Sequence, residues 1–111
     1  MYTIEKQRGI ISISTQVLKT IVEEESKQSI SVCLKNNKWN GVFRYFGDSI
    51  RIQDNDGEIV VDMDIEVSYG VPILSVVEIL QANIHDAIHT YVGVTPKQVN
   101  VRITRLILPK E

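Results

Sequence analysis

With Cys33 its single cysteine, the chain has no intrachain disulfide to rely on and fits a reducing compartment. Nothing beside Cys33 in sequence would lower its pKa, so it reads as a small strand residue, not a nucleophile. No stretch approaches the roughly 20 apolar residues of a membrane span. The opening MYTIEKQRG carries charges where a signal peptide needs an apolar run, so any membrane association is expected to go through a partner or a surface. There is also no basic excess: 12 Lys and Arg against 14 Asp and Glu give a net charge of −2, with the two signs interspersed. That balance disfavours a general nucleic-acid binder, whose phosphate contacts require clear positive charge. A G-x-x-x-x-G-K-[ST] loop, a G-x-G-x-x-G fingerprint and a convincing Ser/His/Asp set are all missing, so no cofactor and no catalytic residues are assigned. A cytoplasmic protein that is not an enzyme is the expectation.

What the chain does have is an ordinary globular composition, 43% hydrophobic and 23% charged over 111 residues, enough for one core and one domain spanning 1–111. Its organising stretch runs from Glu58 to Val92. From Ile59 to Tyr69 the odd positions are Ile59, Val61, Met63, Ile65, Val67 and Tyr69, while Asp62, Asp64, Glu66 and Ser68 take even ones. This period of two predicts a half-buried strand with one acidic face. Gly70 frees the backbone for a turn, and Pro72 suits the first turn of a helix, where a missing N–H costs nothing. At about 100° per residue, Ile73, Val77, Leu80, Ile84, Ala87, Ile88 and Tyr91 then share one face, with Leu74 and Val76 as shoulders. Gly93 ends this helix, Pro96 prevents its restart, and Val99–Leu108 reads as the last strand, with a bulge or sheet edge near Arg105.

Upstream, residues 1–8 read as a polar lead-in and Gly9–Ile13 as a first strand. Ser14 is placed to cap a helix starting at Thr15, in which Val17, Leu18, Ile21 and Val22 form the apolar stripe. Glu23, Glu24 and Glu25 are unfavourable at a helix C-terminus, which predicts an end near Ser26. Alternation of Ile30, Val32 and Leu34 with serines and Cys33 predicts a second strand, residues 35–41 a turn, and Val42–Phe46 a third strand in a hairpin with it. Ser49–Gln53 and the long strand are joined by the turn Asp54–Gly57. Together these elements predict an α+β two-layer sandwich: a mainly antiparallel sheet with two helices on one face, ferredoxin-like in the order β-α-(ββ)-β-β-α-β.

Three patterns resemble chemistry. His85 and His89 share a helix face at i and i+4, and Asp86 follows the first, which resembles the H-E-x-x-H helix of zinc peptidases. Asp86 is a methylene shorter than the glutamate used there, no third ligand is identifiable, and Glu78 and Gln81 mark that face as wet. No metal is therefore assigned to His85 and His89. Trp39–Phe46, with Arg44 and Tyr45, resembles the aromatic-basic strands that stack RNA bases, and a small RNA-binding α+β module is the alternative function. Against it, Asp62, Asp64 and Glu66 would repel phosphates, and Arg51 and Arg102 fit better as cross-strand partners of those carboxylates. The acidic row itself has no pocket to raise a pKa and reads as a solvated face. Ile79 is different: it falls among Asn83, Asp86 and Thr90, on the side of its helix predicted to be polar. It is either an isolated exposed apolar residue or, with Val76 and Asn83, part of a subunit or partner contact.

The run Val67-Ser68-Tyr69-Gly70-Val71-Pro72-Ile73, then Val76-Val77, Gln81-Ala82-Asn83-Ile84, Val94 and Val99-Asn100-Val101-Arg102-Ile103, resembles the alkaline-shock-protein family of Gram-positive bacteria, also called envelope-stress-response proteins. Gly9–Ser14 with Val17 and Ile21 resembles that family's opening strand and helix. Tyr69, Gly70 and Asn100 carry the most specific part of the likeness, and residues 23–53 depart from the family pattern. The resemblance implies a small cytoplasmic, non-enzymatic protein that self-associates as a homo-oligomer. It also implies peripheral placement at the membrane through a separate anchor protein in some members, and a role in envelope homeostasis.

Overall fold

The computed structural model describes residues 2–37, 43–44 and 49–108, with side chains for 3–29 and 49–108. In chain order the elements are β1 (Tyr2–Lys6), β2 (Gly9–Ile13), α1 (Thr15–Asn37), β3 (Phe43–Arg44), β4 (Ile50–Asn55), β5 (Glu58–Ser68), α2 (Ile73–Val92) and β6 (Gln98–Ile107).

The long alternating strand is the centre of the main sheet. Along one edge β5 pairs antiparallel with β4 through residues 58–63 and with β3 at residues 66–67. Along the other it pairs parallel with β6 through residues 60–68. The sheet is thus mixed, because α2 returns the chain to the same end before β6 begins. Its odd residues Ile59, Val61, Met63, Ile65 and Val67 are all buried. They form one core with Leu18 and Val22 of α1, Ile50 of β4, and Leu80, Ile84, Ile88 and Val92 of α2. Burial of each such side chain contributes about 2 kcal/mol.

The turn before β5 is sharper than the four residues Asp54–Gly57 suggest. Pairing continues to Asn55 opposite Glu58, and the reversal is made by Asp56 and Gly57 at φ 52° and 88°, with the Gly57 N–H donating to Asp54 Oδ1 at 3.1 Å. Positive φ at both central residues matches the right-handed twist of the flanking strands. The helix signals are also in place. The Val17 N–H reaches Ser14 Oγ at 3.4 Å, and Gly93 closes α2 at φ 80°, ψ 14°, donating to the His89 carbonyl. In β6 the register steps from Ile65↔Ile103 to Glu66↔Arg105, so Thr104 is the extra residue, on a strand that is also a sheet edge among the described residues.

Several expectations are corrected. Residues 2–8 are not a lead-in: β1 pairs with β2 in a separate two-stranded sheet, so Gly9–Ile13 is not a strand of the main sheet and the order among the described residues is β-β-α-β-β-β-α-β. Residues 30–34 are helical, because α1 continues to Asn37. Ile30, Cys33 and Leu34 satisfy helical spacing as well as Ile30, Val32 and Leu34 satisfy alternation, and continuity with a helix already formed decides between them. The glutamates then lie in mid-helix, where the dipole argument for an early end has no force. With no strand at 30–34, β3 pairs with β5 instead. Of the expected turn at 35–41, residues 35–37 are helical and 38–41 lie outside the described residues, as do Trp39, Val42, Tyr45 and Phe46 of the aromatic-basic stretch.

The buried stripes also slant. In α2 the core row is Val76, Leu80, Ile84, Ile88 and Val92, so Tyr91, expected on the apolar face, is 72% exposed. In α1 the row is Leu18, Val22 and Ser26, with Ser29 also buried and Val17 exposed. Both follow steps of four, the ridge inclined about 26° to the helix axis, as helices packed at an angle do.

Candidate functional site

The acidic face of β5 is a cross-strand ion-pair ladder. Asp64 accepts from Arg102 Nε and Nη2 at 3.1 and 2.9 Å on β6, and from Arg51 Nη1 and Nη2, both at 3.3 Å, on β4. These bonds, Arg102's first, hold the Asp64 carboxyl below its ordinary value of 3.8, and Asp64 in turn raises Arg102. Asn100 donates to Asp62 Oδ1 at 3.0 Å, and Lys97 meets Glu58 at 3.1 Å. Each of these carboxylates is thus engaged from a neighbouring strand or, for Glu58, from the residue just before β6, and the ladder lies open to solvent. That arrangement stabilises a sheet surface; it does not hold a proton poised for transfer.

The histidines lie apart from this face. His85 Nδ1 is 3.4 Å from Asp86 Oδ1, and His89 Nδ1 is 3.2 Å from Thr95 Oγ1. Among the described residues no group of three His, Cys, Asp or Glu side chains is placed to hold a metal ion.

The seam between α1 and α2 carries more. Ser29 is buried there, and Ser26, one turn earlier on α1, is buried against β5. Ser26 Oγ turns back to the Val22 carbonyl at 2.6 Å and lies 3.7 Å from Met63 Sδ, while Asn83 Nδ2 donates to Ser29 Oγ at 2.9 Å across the seam. Glu25, Gln28, Ser29, Ile79 and Asn83 line a shallow hollow. A second hollow shares Glu25 and Asn83 and continues to Asp86, Thr90 and Tyr91.

The three expected contact residues therefore separate. Ile79, 41% exposed, and Asn83 meet at the seam, whereas Val76 is only 1% exposed and belongs to the core beneath them. Of the motif residues, Tyr69 is exposed, with its N–H on the Ile107 carbonyl at 2.9 Å, and Gly70 holds the turn at φ 99°. Asn100 is level with Asp62, roughly 20 Å along the strand from Tyr69, so the motif marks two separate levels of β5 and not one pocket. Sequence reasoning missed Ser26, Ser29 and Tyr91. The serines had a signal in their spacing of four and seven from Val22, obscured by their polarity.

A mixed sheet backed by two helices, with a neutralised polar face and a partly apolar helix seam, makes this a small α+β protein. No helix among the described residues is long and apolar enough to cross a membrane. Residues 3–108 match the model of the alkaline-shock-protein-like family described as having a cell envelope-related function, and the chain belongs to that family. No curated protein matches the chain, and no solved structure does.

Proposed function

We propose that this chain is a non-enzymatic scaffold of the envelope-stress-response type, cytoplasmic, self-associating, and brought to the membrane by an anchor protein. The carrying observation is Ile79: a large aliphatic side chain, 41% exposed, in a hollow between two helices whose other lining residues are polar. An apolar residue rimmed by polar ones is how a contact site presents itself. Family membership supplies the envelope connection, and the anchor protein is what the family resemblance implies for some members. The acidic ladder weighs against the RNA-binding alternative, since Arg51 and Arg102 are already turned onto Asp64.

Light scattering over a concentration series tests this reading. The unmodified chain is expected to gain mass with concentration, and Ile79→Asp to lose the part of that gain that runs through the helix seam. An unchanged mass for Ile79→Asp would remove the seam from consideration.

A further inference from the structure

The β1–β2 ribbon is built of two five-residue strands joined at Gln7 and Arg8. Among its described side chains Ile13 alone is packed against the main core, from its edge, while Ile10 and Ile11 are 66% and 50% exposed. A lone two-stranded ribbon is marginal in water and needs a further strand or a packed face. Its two outer edges, free among the described residues, differ. The β1 edge carries Glu5 and Lys6; β2, Gly-Ile-Ile-Ser-Ile, has no charge, no proline and three β-branched residues. Natural sheet edges are normally guarded by charge, proline or a bulge, and β6, with Arg102, Arg105 and its bulge, is guarded in this way. The edge of β2 is not.

We infer that β2 is a dimerisation strand, pairing antiparallel with β2 of a second copy of this chain about a two-fold axis at Ile11. The sequence is self-complementary in that register: Ile10 lies opposite Ser12 of the second copy, Gly9 opposite its Ile13, and Ile11 opposite Ile11. Within the ribbon the pair Lys6↔Gly9 flanks the turn, so the ladder's alternation turns the amides and carbonyls of Ile10 and Ser12 outward, where they meet those of Ser12 and Ile10. Because Ile4 pairs with Ile11, the joined ribbons place Ile4, Ile11, Ile11 and Ile4 in one row across four strands. Gly9, without a side chain, comes level with Ile13, where the other ribbon enters its body. The charges fit as well: Glu5 and Lys6 remain on the outer strands, no like charges face each other, and both new edges are charged ones. The contact is isologous, so it closes as a dimer and leaves the helix seam free.

This inference shares with the proposed function only the premise of self-association, and it uses a different surface. With Cys33→Ser as background, Ile11→Cys is expected to oxidise to a covalent dimer roughly tenfold faster than Ile10→Cys. The two Ile11 positions face each other at a close non-hydrogen-bonded pair, whereas the Ile10 positions are diagonal and about 8 Å apart. In the otherwise unmodified chain, Ile11→Lys sets two like charges face to face and is expected to lower the solution mass while the helical far-UV circular dichroism signal of the main body is kept. Equal cross-linking at the two positions, no cross-link at Ile11, or loss of self-association with Ile79→Asp but not with Ile11→Lys would overturn the pairing. Loss with Ile11→Lys alone would support it and remove the helix seam instead.

Discussion

Replacing Asn83 by alanine is expected to destabilise the fold more than replacing the residue to which it is bonded. Asn83 Nδ2 and Ser29 Oγ are 2.9 Å apart, but their surroundings differ: Ser29 is 3% exposed and Asn83 is half-buried. Removing Asn83 leaves a buried hydroxyl oxygen without its donor, at about 1–3 kcal/mol, with the lower half of that range favoured because a hollow lies beside it. Removing the serine leaves the amide of Asn83, which water can reach, and forfeits only the net value of one hydrogen bond, about 0.5–1 kcal/mol. Alanine is the better helix former at either site by up to about 0.7 kcal/mol, which offsets both losses similarly. The expected outcome is a cost near 1 kcal/mol for Asn83→Ala, close to zero for Ser29→Ala, and a coupling of about 1 kcal/mol in the double-mutant cycle. Urea unfolding followed by circular dichroism reads this as a midpoint lower by roughly 0.5–1 M for Asn83→Ala alone. Equal costs, or single effects that add within about 0.3 kcal/mol, would refute the argument from burial. If Asn83→Ala left stability intact and altered solution mass, the residue would belong to a subunit contact and not to a helix clamp.

Two other perturbations isolate single features. Gly93→Ala forces a side chain into a left-handed cap at φ 80°, and should cost about 1 kcal/mol, near 4 °C in melting temperature. Gly93→Asn should recover part of that, and no difference between the two would show that the cap is not limiting. For Asp64, whose folded pKa is lowered, the stabilisation is fully present above the unfolded carboxylate's 3.8 and disappears as pH falls through the folded value. Asp64→Asn should therefore lower stability at neutral pH and flatten the acid limb of the stability curve below about pH 4. Parallel curves for the two chains across that range would mean that the arginine contacts are energetically idle.

The central half of the fold is legible because its sequence is nearly unambiguous. From Val61 to Val67 β5 alternates strictly, with Asp62, Asp64 and Glu66 on one side, and no helix satisfies that pattern. The Asp56–Gly57 reversal and the Gly93 cap follow from residues that accept positive φ, and the bulge near Arg105 from the break in alternation that begins there. Residues 30–34 mislead for the opposite reason. A five-residue segment with apolar residues at several spacings fits both periods, and the helix preceding it, extended through two buried serines, settles the choice. Those serines are invisible to a hydropathy reading. A hydroxyl bonded back to its own helix, as at Ser26, or accepting from a second helix, as at Ser29, is tolerated inside.

The same limit bears on the candidate surfaces. Hydrophobic periodicity identifies what is buried by assuming that apolar residues are inside, so an apolar contact surface is by construction read as core or as noise. Periodicity assigns Tyr91 to the apolar face of α2, yet it is 72% exposed; it assigns Ile10 and Ile11 to a strand of the main sheet, yet they stand out from it. Ile79 escapes because it alone breaks a period already established by its neighbours. A contact residue is legible from one sequence only when it violates the pattern of a well-determined element. The ribbon, lacking such an element, requires its strand pairing to be seen before its unguarded edge can be recognised.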